Sequence, residues 1–270
     1  MATPSLFKLS LADRQREWNQ WISGRLGYRV QIEERRLARR ELRRLFGQVV
    51  LQVGGTPGFP LISDSLAPAR FHIVFSGEAL KQSHVPTLVA EDNLLPFPSD
   101  SVDILVVQHS LDLSAHPHQV LREIERILRP GGRLLLFGFN PNSTWGLRRF
   151  LRIRFKSLIP WQVRFMPQHQ IDDWCQLLNL VPEIRKSAVY GLPTNRPSIR
   201  RLFKPIEYWL AKKGWICGAV YCLRAKKERS AFLTGQLNPF ARLAGIKTRL
   251  KPQVVARQRP DLRIVTKTDI

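Results

Sequence analysis

Residues 51–58 read LQVGGTPG: an apolar run followed by three glycines within five residues. A turn of this kind after a buried strand leaves backbone free to approach a phosphate or other cofactor group at a helix N-terminus. Gly54 and Gly58 stand where the chain must turn and come close to a ligand. About twenty residues further on, Glu78 follows a second apolar run, where an acid can bind ribose hydroxyls. It trails that run by three residues rather than one, so a surface charge is the competing reading. His109 ends a later apolar run, VDILVVQ, at the end of a strand where α/β proteins bind ligands. That makes it the candidate general base; the alternative is a structural or cofactor-lining histidine.

The elements that must position these residues follow from periodicity. QIEERRLARRELRRLF (31–46) reads as a helix with Ala38, Leu42, Leu45 and Phe46 on one face, its arginines solvated and Gly47 stopping it. Short apolar strands follow at 48–53, 71–75, 87–90 and 102–108. An amphipathic helix at 117–128, stopped by Pro130-Gly131-Gly132, leads to a strand at 133–139. A helix at 171–180 and strands at 183–191 and 215–227 complete the pattern. Near-continuous apolar strands alternating with helices predict an α/β fold, a parallel sheet covered on both faces.

Composition bounds the rest. The 270 residues, 44% hydrophobic, suit one large α/β domain with additions. Cys175, Cys217 and Cys222 form no CxxC and read as reduced, buried thiols, with no metal site expected. No apolar stretch reaches the ~20 residues of a membrane span, and the N-terminus lacks the apolar core of a signal peptide, so a cytoplasmic protein is expected. The net charge is +22, unevenly placed. Residues 49–140 hold 6 basic and 9 acidic side chains, whereas residues 141–230 hold 18 and 5. A mildly acidic centre in basic surroundings suggests RNA or another polyanion as partner.

The central stretch carries a resemblance. Asp92, LPF at 95–97, SVD at 101–103, LREIERILRPGG at 121–132 and the strand after it resemble class I S-adenosylmethionine-dependent methyltransferases of the type-11 group. GFNPNSTWGLRR (138–149) and LNPF (237–240) are similar to a narrower bacterial set, the YafS-like methyltransferase-domain proteins. The general resemblance covers about residues 45–225. It implies a Rossmann-like sheet of seven strands, mostly parallel, with the last antiparallel beside the sixth. The expected division is an N-terminal helical extension (1–47), a methyltransferase domain (48–227) with a basic insertion at 140–170, and a basic, largely disordered tail (228–270).

S-adenosylmethionine is the implied cofactor. Gln52, Gly54, Thr56 and Gly58 would form the loop near its methionine part, Asp92 with Asn93 would meet the adenine amine, and Gln108 and His109 would line the methyl-donor pocket. The loop departs from the family pattern, because Gln52 stands where an acid is usual and Thr56 where a glycine is usual. Three functions stay open: an active methyltransferase acting on nucleic acid or a small molecule, a silent methyltransferase fold serving as a binding module, and a nucleic-acid-binding scaffold. On the acceptor side, Trp145, Arg148, Arg149 and Arg152 suit stacking on bases and pairing with phosphates. The same segment also suits an amphipathic helix on an anionic membrane or a helix packed on the domain.

Overall fold

The computed structural model describes residues 6–77, 83–150, 159–194, 201 and 218–228. They belong to one compact unit, residues 1–230. Seven strands form one sheet: β1 (Val49–Gly54), β2 (Ala69–Val74), β3 (Thr87–Val89), β4 (Val102–Gln108), β5 (Leu128–Phe139), β6 (Leu180–Ala188) and β7 (Val220–Lys227). Their order is β3-β2-β1-β4-β5-β7-β6. β1 to β5 run parallel, and β7 lies antiparallel between β5 and β6. The expected seven-stranded, mostly parallel sheet is therefore present, with the last strand inserted beside the sixth.

Burial explains the strand sequences. VDILVVQ is buried at all seven positions because β4 lies in the middle of the sheet with both faces covered. β6, at the edge, alternates instead. Two apolar clusters flank the sheet. One gathers Val50, Val106 and Phe137 under the N-terminal helices; the other gathers Leu51, Leu105 and Leu136 under α4 (Pro117–Ile127). On α4, Val120, Leu121, Ile124 and Ile127 are buried at helical spacing.

Several boundaries move for identifiable reasons. Pro130-Gly131-Gly132 does not follow the helix as a free stop: α4 ends at Ile127, and these residues lie inside β5, at a register shift opposite Val102 and Ile104. The helix α6 (Gln168–Leu177) ends earlier than expected, with Asn179 in a left-handed conformation before β6. The arginine-rich helix α2 runs from Arg25 to Leu42, so Phe46 falls beyond it and is 85% exposed. Gly47 follows because a Cβ there would meet Asp103 at 2.5 Å. That approach lets Asp103 accept the backbone N–H groups of Gln48 and Val49 and so start β1. Of the proposed tail, only Glu228 lies within the described residues.

The N-terminal segment is built into the core. α1 (Leu11–Ile22) is N-capped by Ser10, whose hydroxyl accepts the Asp13 N–H, and it buries Arg14, Gln15, Trp18 and Ile22. α2 buries Val30, Leu37, Ala38 and Leu42, but also Glu34 and Glu41. Glu41 is paired with Lys186 on β6 and, at 2.9 Å, with Arg224 on β7. Removing one partner of such a buried pair leaves uncompensated charge. Glu41→Ala is expected to lower unfolding free energy by about 3 kcal/mol in urea titration. Glu33→Ala, which loses only an exposed pair with Arg36, should stay within about 0.5 kcal/mol.

Candidate functional site

The glycine turn leaves the carboxyl end of β1 with Gly54 at φ +79° and Gly55 at φ +81°. Side chains are excluded there twice over. The region is left-handed, and a Cβ on Gly55 would strike the Gln108 carboxamide at 2.0 Å. Gln52, expected in the loop beside the cofactor, braces this turn from inside the core. It is fully buried. Its amide donates to Gly54 O at 3.1 Å and Gln108 Oε1 at 2.9 Å, and its oxygen accepts the N–H groups of Leu61 and Ile62 at 2.7 and 3.3 Å. A carboxylate cannot make the first two bonds, which explains glutamine at this position. His72 of β2 also donates to Gly54 O, at 2.8 Å; burial pushes its pKa down to about 4, so it is neutral.

α1 lies against the turn. Gln15 donates to Gly55 O at 2.7 Å, and the Thr56 hydroxyl donates to Asn19 at 3.4 Å. Arg14 donates to Leu113 O and faces Asp92. Asp92 is 8% exposed; burial raises its pKa, against a hydrogen bond from Ser114 and the charge of Arg14. Asn93 beside it is exposed. Glu78 lies outside the described residues.

Gln108 points inward, donating to Glu34 at 2.7 Å. His109 follows in a left-handed conformation, φ 54°, at the start of the short helix α3 (Ser110–Leu113). Its ring is fully buried, with Nε2 on Glu34 and Nδ1 on Asp112 at 2.6 Å. Burial alone would lower its pKa, but Glu34 and Asp112 outweigh it and hold the ring near 9, as imidazolium. With both nitrogens engaged and no exposed surface, His109 offers no free site for a proton. The general-base reading is therefore replaced by a structural one. The thiols take no part either: Cys175 and Cys222 are free and buried, and burial pushes Cys175 up to about 12 and Cys222 higher. Among the described residues no His, Cys, Asp and Glu group has a metal-binding arrangement.

The basic insertion is corrected more sharply. Trp145, on α5 (Thr144–Phe150), is fully buried and its indole N–H donates to Gly191 O at 3.0 Å. Trp161 is buried too, under Arg148, which also donates to Pro193 O. These rings are core, not a platform for bases. Arg152 lies outside the described residues. Arg149 stands over the Phe165 ring, 4.9 Å from its centroid. Beside it opens a pocket of about 990 Å³, lined mainly by apolar groups of α5, Phe165 and Tyr190.

The comparisons with known proteins bear on the fold and on one stretch of the sequence. Residues 67–136 fit the family model described as a methyltransferase domain. That stretch, about a quarter of the chain, is similar to a methyltransferase domain. Its sequence is 36% identical over 113 residues to the Escherichia coli protein YafS, covering 42% of this chain and 46% of that protein. It is 34% identical over 84 residues to the ubiquinone/menaquinone biosynthesis C-methyltransferase UbiE of Rubrivivax gelatinosus, covering 31% and 33%. The matches thus span less than half of these relatives. A Thermotoga maritima SAM-dependent methyltransferase shares the fold, with a TM-score of 0.61 and 18% identity over 81% of this chain and all of that one.

At the carboxyl edge of the sheet, the residues invisible to sequence reasoning are Glu34, His72, Gln15, Arg14 and Asp112. Glu34 sits in an arginine-rich helix that reads as solvated, and only its depth in the fold marks it. The buried imidazolium has a measurable consequence. Its folded pKa, near 9, exceeds the ordinary 6.5, so its stabilisation is complete below about pH 6.5 and lost as pH rises through about 9. The stability of the native chain should fall by up to about 3 kcal/mol across that window relative to His109→Gln, measured by urea unfolding at each pH.

Proposed function

We propose that this protein transfers a methyl group from S-adenosylmethionine to a small-molecule acceptor. The observation that carries the reading is the left-handed Gly54–Gly55 turn at the end of β1 on the same sheet edge as Asp92, in a chain whose residues 67–136 match a methyltransferase domain. The residues fit the cofactor. The turn has backbone in place of side chains, and Asp92 keeps a buried carboxyl with Ser114 and Arg14 beside it. Gly54, Thr56 and Gly58 would hold the amino-acid end, and Asp92 with Asn93 the adenine; Glu78 is kept as the candidate for the ribose.

The cofactor supplies a methyl group already activated on a sulfonium. The chain's task is then orientation, and alignment alone can lower a barrier by about 7–11 kcal/mol in favourable cases. Gln52 and His72 serve that task by fixing Gly54 O from two sides. His109 serves it by joining α2 to α3 beneath the edge. The departure at Gln52 is no sign of a decayed loop, because its carboxamide makes four bonds that hold the turn.

Burial of Trp145 and Trp161 favours a small acceptor over nucleic acid, since the proposed stacking rings are unavailable. The relatives named for ubiquinone and menaquinone biosynthesis point the same way. The test is calorimetric titration with S-adenosylmethionine, with and without RNA. Binding unaffected by RNA is expected. Asp92→Ala should weaken it about 10- to 100-fold, the worth of one charge-assisted hydrogen bond. Unchanged affinity in Asp92→Ala removes Asp92 from the site; no binding to the native chain removes the methyltransferase reading.

A further inference from the structure

The pocket beside α5 has apolar walls with one charged exception. Leu147, Phe150, Phe165 and Pro141 form much of its lining, and Arg149 is the only charged side chain among the described residues that line it. Leu147 is 59% and Phe150 82% exposed, so two large apolar groups stand in water at its rim. The Arg149 guanidinium has five N–H donors but donates to no described residue; its recorded partners are the face of Phe165 and the charge of Asp112. No hydrogen bond joins Arg149 to Asp112, whose Oδ2 accepts from His109 and from the Phe139 N–H at 3.0 Å. A half-buried cation with unmade hydrogen bonds among apolar walls is complementary to an anion with an apolar body.

Position links this pocket to the cofactor end. His109 packs on Phe139, 4.3 Å between ring centroids; Phe139 stacks on Phe165 at 5.1 Å; Arg149 covers Phe165. α5 is also held close to the chain that leaves β5, since a Cβ on Gly146 would strike Pro141 O at 1.8 Å. We propose that the pocket binds an amphiphilic acid, its anionic oxygens on Arg149 and its apolar body against Leu147, Phe150 and Phe165. This binding does not depend on the methyltransferase reading. A nucleic acid fits less well, because its phosphates have no use for the apolar wall.

The probe is dodecanoate below its micelle concentration, compared with 1-dodecanol and dodecylammonium, titrated calorimetrically into the full chain. Dodecanoate should bind at least about tenfold more tightly than the alcohol, and the ammonium least. Arg149→Gln should erase the preference for the acid. Leu147→Ser should weaken acid and alcohol alike, with the thermal midpoint unchanged as the control for folding. Equal binding of acid and alcohol, or a preference that survives Arg149→Gln, overturns the proposal. So does retention on phosphatidylglycerol vesicles without binding of monomeric dodecanoate, which would mean a membrane surface rather than a pocket. A parallel S-adenosylmethionine titration separates the two ideas. Cofactor binding without dodecanoate binding sinks the pocket alone; dodecanoate binding without cofactor binding leaves the pocket and sinks the methyltransferase reading.

Discussion

The imidazolium of His109, held between Glu34 and Asp112, joins three separate parts of the chain. Glu34 comes from α2, Asp112 from the short helix after β4, and Asp112 in turn accepts the N–H of Phe139 at the end of β5. Taking three charges out of water is expensive, and an apolar trio of similar volume is often as stable. What such a cluster adds is direction. It has one low-energy arrangement, whereas apolar groups pack in several. Here the arrangement sets α2 across the carboxyl edge and draws in Gln108, which Glu34 also holds.

From Gln108 the order passes to the glycine turn. Gln108 accepts from Gln52, Gln52 donates to Gly54 O, and His72 donates to the same oxygen. The turn is thus fixed by neutral side chains from β1, β2 and β4, backed by one carboxylate on α2. A family pattern with an acid at the first position places charge at the turn itself. In this chain the acid is one layer deeper and a carboxamide relays its position. The exchange keeps a left-handed glycine pair in place without an anion beside it.

Charge on the surface has a different logic from charge in the interior. Arg35 pairs with Asp64 and Arg36 with Glu33, both part-exposed, so much of the arginine run on α2 is a solvated face. Arg148 and Arg149 are not of that kind. Each lies on an aromatic ring of the insertion, Trp161 and Phe165, with its charge partly withdrawn from water. The net charge of the chain therefore overstates what is free to attract a polyanion. No described helix is long and apolar enough to cross a membrane.

The sheet was legible because its strands are short-range objects. VVLQV, FHIVF and VDILVVQ are apolar and β-branched over the length of a strand, and their alternation with helices dictates a parallel sheet whatever the partners. The glycine turn was legible for the same reason, since glycine reports a backbone need at its own position. α1 was not, because its buried face carries Arg14 and Gln15 beside Trp18, and periodicity counts only apolar residues. Glu34 and His109 are 75 residues apart, Glu41 and Arg224 183. Whether a charged side chain is solvated or buried depends on a partner that the local sequence does not contain. Trp145 and Phe46 make the point from the apolar side: one is hidden and the other exposed, although the sequence suggested the reverse for both. Local propensity and pattern thus determined the elements and their order. The tertiary structure decided which polar groups meet inside, and so which residues brace the site and which line it, because desolvation and pairing are properties of the assembled neighbourhood.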